Sequence, residues 1–467
     1  MIRSLCFLVL CVLVVPPIAF AAPVSVHNLR LWPAPDNTRL VFDLSGPVEH
    51  RLSNLHDPER IVVEIDNASL KDKLTPLDVS RSSIASVLAT EPVSGKLRIT
   101  LEIKRPVRPK AFVLKPFGQY GHRLVIDLFD ETAMEAVPDP EPVSAPPART
   151  IFRPADLVVA IDAGHGGEDP GAIGRRWRTR EKDVTLAIAR ELYSQINGVI
   201  GMKAVMIRDG DYFIELGQRR KKAKRLKADV FVSIHADSLP GKRAQQVRGS
   251  SVYALSDRGA TNEIAKALAA SENASDWIGG ISTKDVDSDV LKVIGDLNKD
   301  ATIVDSLKLG TGILGSLRGA VPIHGERPAQ AAFAVLKQPI PSILVETAFI
   351  SNQLDEQNLR DRAYQKRIAE GILRGLRQAA PWILSRRDAG GEMVQATGRP
   401  PVMLSPASLP VAATEAHEHM VKVGETLSSI ARLYDIHIDA LRFLNDIHGN
   451  ELPVGTRLRI PARGGDG

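Results

Sequence analysis

Hydrophobic and polar positions change rhythm twice along the chain. From Val24 to about Asp130 they alternate: residues 39–44 (RLVFDL), 60–65 (RIVVEI), 97–103 (LRITLEI) and 123–128 (RLVIDL) set apolar against polar side chains with a period of two. Short strands of that kind, separated by turn residues, predict an all-β sandwich with one face of each strand buried. Between Asp156 and about Leu384, continuous apolar runs take over at 157–161, 204–207, 230–234, 251–255 and 343–345, with helical patterns such as 184–196 and 364–379 between them. Strands without alternation are buried on both faces, so this stretch predicts an α/β domain around a mostly parallel, twisted sheet. Sites in such domains form beyond the carboxyl ends of the strands. The tail predicts a small βααβ module, with strands at 420–423 and 457–460 and helices at 426–434 and 438–445.

The segments between these rhythms have a different composition. Residues 131–150 carry five prolines and little apolar content, and 386–416 are again rich in Pro, Ala, Ser and Gly, so both read as extended linkers. The chain therefore divides into a leader at 1–22, a sandwich at 23–130, a linker at 131–150, an α/β domain at 151–385, a second linker at 386–416 and the module at 417–462. A length of 467 residues is enough for about three domains with cores of their own.

The leader changes the picture of where the protein works. Arg3, the apolar run at 5–15, Pro16 and Pro17, and the small-x-small stretch Ala19-Phe20-Ala21 form an export signal cut after Ala21 or Ala22. Its apolar run falls short of the roughly 20 residues that span a bilayer, and no later stretch comes near that length, so no stable membrane insertion is expected after cleavage. Both cysteines, Cys6 and Cys11, lie in this leader. The mature chain then has no thiol ligands, and any metal must be held by His and carboxylates. The net charge of +5 and the run 219–227 (RRKKAKRLK), with seven basic residues in nine, raise a nucleic-acid reading that export argues against. On a helix these positions go all round, so most of them are expected to be solvated.

Candidate chemistry collects at strand ends in the α/β stretch. The strand at 157–161 runs into Asp162-Ala163-Gly164-His165-Gly166-Gly167, which lifts His165 into a glycine loop. The strand at 230–234 ends in His235, and Glu181 stands just before the helix near Val184. Two histidines and a carboxylate on three loops of one sheet edge match the His₂Glu composition of catalytic zinc sites, which keep a fourth position open. Ile343-Leu344-Val345 delivers Glu346 to the same edge, where it can take a proton from water whose pKa the metal lowers toward about 7. Any one of these residues alone is commonly structural; their joint occurrence favours a site. Asp162 reads equally as a structural group or as one that orients a ligand. The residues by themselves say metal-assisted hydrolysis of a carbonyl compound.

With those residues in place, the stretches IDAGHGGEDPGAIG (161–174), Glu181-Lys182-Asp183, Arg208-Asp209-Gly210-Asp211, ADVFVSIHAD (228–237), FAVLK (333–337) and LVETAFISN (344–352) resemble the zinc-dependent N-acetylmuramoyl-L-alanine amidases of the cell wall. The resemblance covers nearly all of 156–380. It implies one zinc ion held by His165, Glu181 and His235, with Glu346 as the catalytic glutamate. The implied reaction is hydrolysis of the amide between the lactyl group of N-acetylmuramic acid and L-alanine of the stem peptide. Residues 25–130 are similar to the amidase N-terminal (AMIN) targeting domain, and 421–461 resemble a LysM module that binds glycan. Peptidoglycan is then the partner, the periplasm the location, and septum splitting with daughter-cell separation the role. Two alternatives stay open from the residues alone: a zinc peptidase cutting within the stem peptide, and a wall-binding protein without activity.

The stretch between Leu255 and Phe333 far exceeds the roughly 2–6 residues of a compact connection. Val286, Val290, Val293, Ile294 and Leu297 have the spacing of an amphipathic helix. Septal relatives, by the resemblance, cover their zinc with a glutamate from such a helix until an activator protein, of LytM type, displaces it. Alignment through Thr302-Ile303 puts Ala301 at that position, which leaves Asp296 and Asp300 as substitutes. His324 and Glu326 are the other polar candidates near the site.

Overall fold

The computed structural model describes residues 23–72, 75–90, 95–131, 156–236, 238–239, 245–280, 296–395, 417–422, 425–434, 445, 453 and 455–460. The leader, both cysteines, residues 132–150 and 396–416 of the linkers, and the predicted 286–295 stretch lie outside the described residues; residues 386–395, predicted as extended linker, instead continue the last helix of the α/β domain. The chain forms two compact units, 1–394 and 395–467.

In the first unit, nine strands build the sandwich: β1 (Val24–Pro33), β2 (Asn37–Leu44), β3 (His50–Leu55), β4 (Arg60–Asp66), β5 (Ala68–Leu70), β6 (Ile84–Thr90), β7 (Lys96–Ile103), β8 (Val107–Leu114) and β9 (His122–Asp130). One sheet has the order β5-β1-β2-β9-β8 and the other β3-β4-β7-β6. Alternating residues of both sheets meet in the core, among them Leu40, Phe42, Val63, Ile65, Leu97, Ile99, Leu101, Leu124 and Ile126. The alternation predicts that the other face meets water, and on β9 it does not: Arg123, Val125 and Asp127 are buried as well. The α/β domain lies against that face, and hydrogen bonds from Arg39 and Arg123 reach across to it.

The α/β domain consists of β10 (Leu157–Ala163), α1 (Glu181–Asn197), β11 (Met202–Met206), α2 (Leu216–Arg225), β12 (Val230–His235), β13 (Ser251–Leu255), α3 (Glu263–Asn273), α4 (Ser275–Ile278), α5 (Asp296–Arg318), β14 (Ala329–Ala331), β15 (Ser342–Glu346), α6 (Gln353–Arg360) and α7 (Arg362–Gln395). Its sheet has the order β11-β10-β12-β15-β13-β14. All neighbours are parallel except β13 against β15. One face packs on Val184, Ile188 and Leu192 of α1, Ile313 and Leu317 of α5, and Ile368, Ile372 and Leu376 of α7. The other packs on Leu216 and Ala223 of α2 and on Ala265, Leu268 and Ala269 of α3. The sheet is covered on both sides, which is why its strands read as unbroken apolar runs.

The second unit pairs β16 (His417–Met420) with β17 (Arg457–Ile460), antiparallel, over a core of Val421, Leu427, Ile430, Leu458 and Ile460 beneath α8 (Leu427–Leu433). The first strand starts before the predicted 420–423, because pairing with β17 ends at Met420 opposite Arg457. Of the predicted helix at 438–445, only Asn445 lies among the described residues. Among the described residues no helix is long and apolar enough to cross a membrane.

Candidate active site and metal centre

The site forms where β10 and β12 end. After β10 the chain turns sharply, and His165 adopts a positive φ of 59°. A side chain in that region costs energy and persists only where its surroundings impose it. Two buried arginines do so. Arg208 donates to the carbonyls of Ala163 and Gly164 at 3.1 and 2.9 Å, and Arg219 to those of Ala163 and His165 at 2.8 Å each. Burial, with Arg219 nearby, lowers Arg208 to about 10, which still leaves it charged at neutral pH. Asp162, at the end of β10, accepts from Arg219 and from the Ser233 hydroxyl at 2.8 Å, so its role here is structural. Glycine is required at 164 and 171: a Cβ at 164 would collide with the His235 ring, and one at 171 would stand 2.6 Å from His165 Cδ2.

His165, Glu181, His235 and Glu272 converge, offering one ligand atom each, all within 4.8 Å of one another. His165 Nε2 lies 3.2 Å from Glu181 Oε2 and 3.3 Å from Glu272 Oε2. His235 Nδ1 lies 3.2 Å from Glu181 Oε1 and 2.9 Å from Glu272 Oε2. Their orientation is fixed from behind. Asp169 Oδ2 holds His165 Nδ1 at 2.8 Å and accepts from the Ser275 hydroxyl at 2.7 Å. The amides of Ala172 and Ala236 each donate to one oxygen of Glu181, both at 2.8 Å. A cavity of about 170 Å³ opens on the cluster, lined also by Gln119, Tyr120, Ser271 and Ser275.

The donor set fits a divalent cation. Burial disfavours charge on both imidazoles, but the carboxylates around them win: Glu181, Asp169 and Glu272 hold His165 well above its ordinary range, and Glu272 and Glu181 raise His235 to about 10. Burial likewise raises Glu181 and Glu272, and the two histidines outweigh it, so both are lowered. The enclosure therefore asks for positive charge between its side chains. His165 Nε2 is buried and takes no hydrogen bond although two carboxylate oxygens stand close to it. Metal–ligand bonds of about 2.0–2.1 Å at tetrahedral angles set ligand atoms about 3.3 Å apart. The histidine–carboxylate contacts of 2.9–3.3 Å lie at or near that spacing, and all four ligand atoms fall within 4.8 Å of one another.

Residues 159–378 match the N-acetylmuramoyl-L-alanine amidase family, 28–128 the AMIN domain and 419–461 the LysM domain. The N-acetylmuramoyl-L-alanine amidase AmiC of Escherichia coli is 39% identical over 388 residues, covering 78% of this chain and 91% of that protein. The chain belongs to the N-acetylmuramoyl-L-alanine amidases. AmiC of Neisseria meningitidis is 34% identical over 394 residues, 78% of this chain and 92% of that one. The solved structure of amidase AmiC2 of Nostoc punctiforme is 30% identical, with a TM-score of 0.34, covering 48% of this chain and 96% of that one.

Within the amidase domain, Glu346 ends β15 and pairs in register with His235 at the end of the parallel neighbour β12. Paired positions on adjacent parallel strands share a face about 4.8 Å apart, so the fully buried Glu346 side chain is delivered beside the cluster. Among the described residues, the carboxylate that completes the cluster is Glu272, which the sequence reading does not single out. Asp300 is exposed and lies 3.6 Å from Arg258, away from the cluster. The His324 ring packs edge-on against Phe349, with centroids 5.3 Å apart. Glu326 is exposed, and its carbonyl accepts from Arg318. The side chain of Asp296 lies outside the described residues. Glu272 joins the cluster because α3, earlier in the long connection, lays its apolar stripe on the sheet and so carries the carboxylate to the His165 loop. The stripe itself is legible: Ala265, Leu268, Ala269 and Glu272 are spaced i, i+3, i+4, i+7, and an acid in such a stripe needs a partner. The basic run is solvated at four of its seven basic positions, as expected for most of them, and the other three are tied down. Arg219 is buried, Arg220 and Lys222 bond the carbonyls of Ala334 and Ile207, and Lys221, Lys224, Arg225 and Lys227 are exposed.

Proposed function

We propose that this amidase is a periplasmic zinc enzyme that hydrolyses the amide between the lactyl group of N-acetylmuramic acid and L-alanine, with its activity restrained at rest by Glu272. The observation that carries this is the convergence of His165, Glu181 and His235 at one sheet edge beside Glu346, in a chain of this family. His165, Glu181 and His235 would hold the ion, and Asp169 would keep His165 in the tautomer that presents Nε2. Zinc in this set supplies Lewis acidity toward a carbonyl oxygen and lowers the pKa of water. Glu346 then accepts a proton from the attacking water as the C–O bond forms, and returns it to the amide nitrogen as the C–N bond breaks. The AMIN and LysM domains indicate peptidoglycan binding, and both bring the enzyme to its insoluble substrate. Septum splitting and daughter-cell separation are consistent with the AmiC relatives.

Glu272 supports the restraint. Its Oε2 stands within 3.3 Å of both histidine nitrogens, in the position a substrate carbonyl needs. Activation then requires a partner, of LytM type, that binds the form with α3 withdrawn better than the closed form. Digestion of purified sacculi with the full chain, with and without an activator and with zinc removed by chelation, tests the reading by product mass. Free stem peptides and intact glycan are expected, and release should stop on zinc removal and return on its addition. Fragments cut inside the peptide, or release that survives removal of the metal, would overturn it.

A further inference from the structure

We propose that the N-terminal sandwich is the latch that keeps the Glu272 arm closed, acting through Arg39 and Arg123. The inference rests on the reading of Glu272 as the cover of the site. Both arginines sit on the sheet face that the alternating pattern assigns to water, on β2 and β9. Arg39 is anchored to its own sheet by Asp127, at 2.6 and 2.7 Å, and points its Nη1 outward. That atom donates to Glu168 Oε1 at 2.5 Å and to the carbonyl of Gly279 at 3.0 Å. Arg123 Nη1 donates to the carbonyl of Ile278 at 2.8 Å and to Glu168 Oε2 at 3.4 Å.

These contacts bridge two sides of the metal pocket. Glu168 precedes Asp169, which orients His165 and also accepts from Ser275. Ile278 and Gly279 lie at the carboxyl end of α4, six and seven residues after Glu272 in the same arm. Cations suit that end of a helix, where carbonyls lack partners. A third contact joins the same parts: Phe117 of the sandwich meets Trp277 edge-on, with centroids 5.3 Å apart. Gln119 and Tyr120 of the same loop line the pocket beside Glu272.

The chemistry of Arg123 argues that this junction is more than incidental packing. Its Nε and Nη2 are buried without hydrogen-bond partners, and burial lowers its pKa. The α/β domain that covers Arg123 leaves its guanidinium partly unsatisfied, a cost that its contacts to that domain must offset. Its directed contacts run to the arm and to Glu168. The sandwich thus joins the Glu272 arm to the loop that carries His165, and the arm cannot withdraw without breaking those contacts.

The test uses the full chain, with Arg39→Met plus Arg123→Met, Phe117→Ala as a milder variant, Glu272→Ala, and the combination of the arginine pair with Glu272→Ala. Thermal melting identifies variants that fold. Three quantities are read without activator: release from labelled sacculi, the rate at which a chelator strips zinc, and hydrogen exchange in 263–280. The arginine pair should raise release and zinc loss on the order of tenfold, the size of one lost charged contact. Exchange in the arm should speed up, and the effect on release should vanish in the Glu272→Ala background. If Glu272→Ala raises release while the folded arginine pair and Phe117→Ala leave all three readouts unchanged, the latch is wrong and the cover stands. If Glu272→Ala itself fails to raise release, the cover is wrong. Unchanged exchange in the arm overturns the latch in either case.

Discussion

Replacement of Glu272 by alanine separates a cover from a permanent ligand. The carboxylate touches His235 Nδ1 at 2.9 Å and His165 Nε2 at 3.3 Å, and is buried among the side chains of the cluster. A charged contact of this kind contributes about 1.5–3 kcal/mol. Its loss shifts the balance between closed and open forms by about 10- to 150-fold. The apolar stripe of α3 stays, since Ala265, Leu268 and Ala269 remain buried against the sheet, so the arm still docks and the variant should still fold. Release of dye-labelled sacculi without activator should therefore rise at least about tenfold, while zinc content measured on the purified protein stays near one per chain. Glu272→Gln, which keeps the shape and removes the charge, should lie between the two. If the alanine variant loses zinc and activity together, Glu272 is a constitutive ligand and the control argument fails.

Three further outcomes follow from other parts of the molecule. Glu346→Gln should lower the rate of amide hydrolysis about 10²- to 10⁴-fold with zinc retained; a near wild-type rate would remove Glu346 from the chemistry. Glu356 accepts from the backbone amides of Arg176, Trp177 and Thr179 at 2.9–3.2 Å. Glu356→Ala should cost about 2–4 kcal/mol in thermal or urea unfolding. Burial works to raise this carboxyl and the three amides outweigh it, so its pKa in the folded state is lowered. Its contribution is then fully present above the unfolded value of about 4.3 and is lost as pH falls through the lower folded value; a Glu356→Ala effect that keeps its full size at pH 3 would contradict this. Removal of 417–467 should weaken pull-down on insoluble peptidoglycan and leave cleavage of a small soluble substrate unchanged, and equal loss of both would tie the tail to the catalytic fold.

What the sequence discloses follows from which physical signal each feature leaves. Unbroken apolar runs report sheets covered on both sides, so the α/β layers are visible, and strand ends then locate His165, His235 and Glu346 on one edge. Glu181 is visible because acids favour the first turn of a helix, and α1 starts with it. Glu272 leaves a weaker signal. It is one acid in a short stripe of alanines, while the longer amphipathic pattern at 286–297 draws attention further along the connection. Arg39, Arg123 and Asp127 are hidden for a different reason. Period-two alternation tells which face of a strand is polar and cannot tell whether that polar face meets water or another domain. Arg219 likewise hides in a basic run, since its carbonyl partners on the His165 loop belong to a segment more than fifty residues earlier in the chain.

The charges of the cluster suit the control proposed for its fourth carboxylate. Two neutral histidines and Glu181 around a divalent cation leave one net positive charge, available to polarise a carbonyl oxygen. In the proposed closed form Glu272 would cancel that charge and fill the remaining position, so that form would be both sterically shut and electrostatically quenched. The same attraction would hold the arm down, so a bound ion would also favour its own inhibitor. An activator of the proposed kind would then have to offset a charged contact in a buried site. That is a larger task than lifting an apolar helix alone, and it is made easier if the junction at Arg39, Arg123 and Glu168 yields first. Control by carboxylate, on this argument, couples the strength of restraint to metal occupancy, so stripping zinc from the full chain should speed hydrogen exchange in 263–280. Exchange that is identical with and without the metal would mean that packing alone holds the arm.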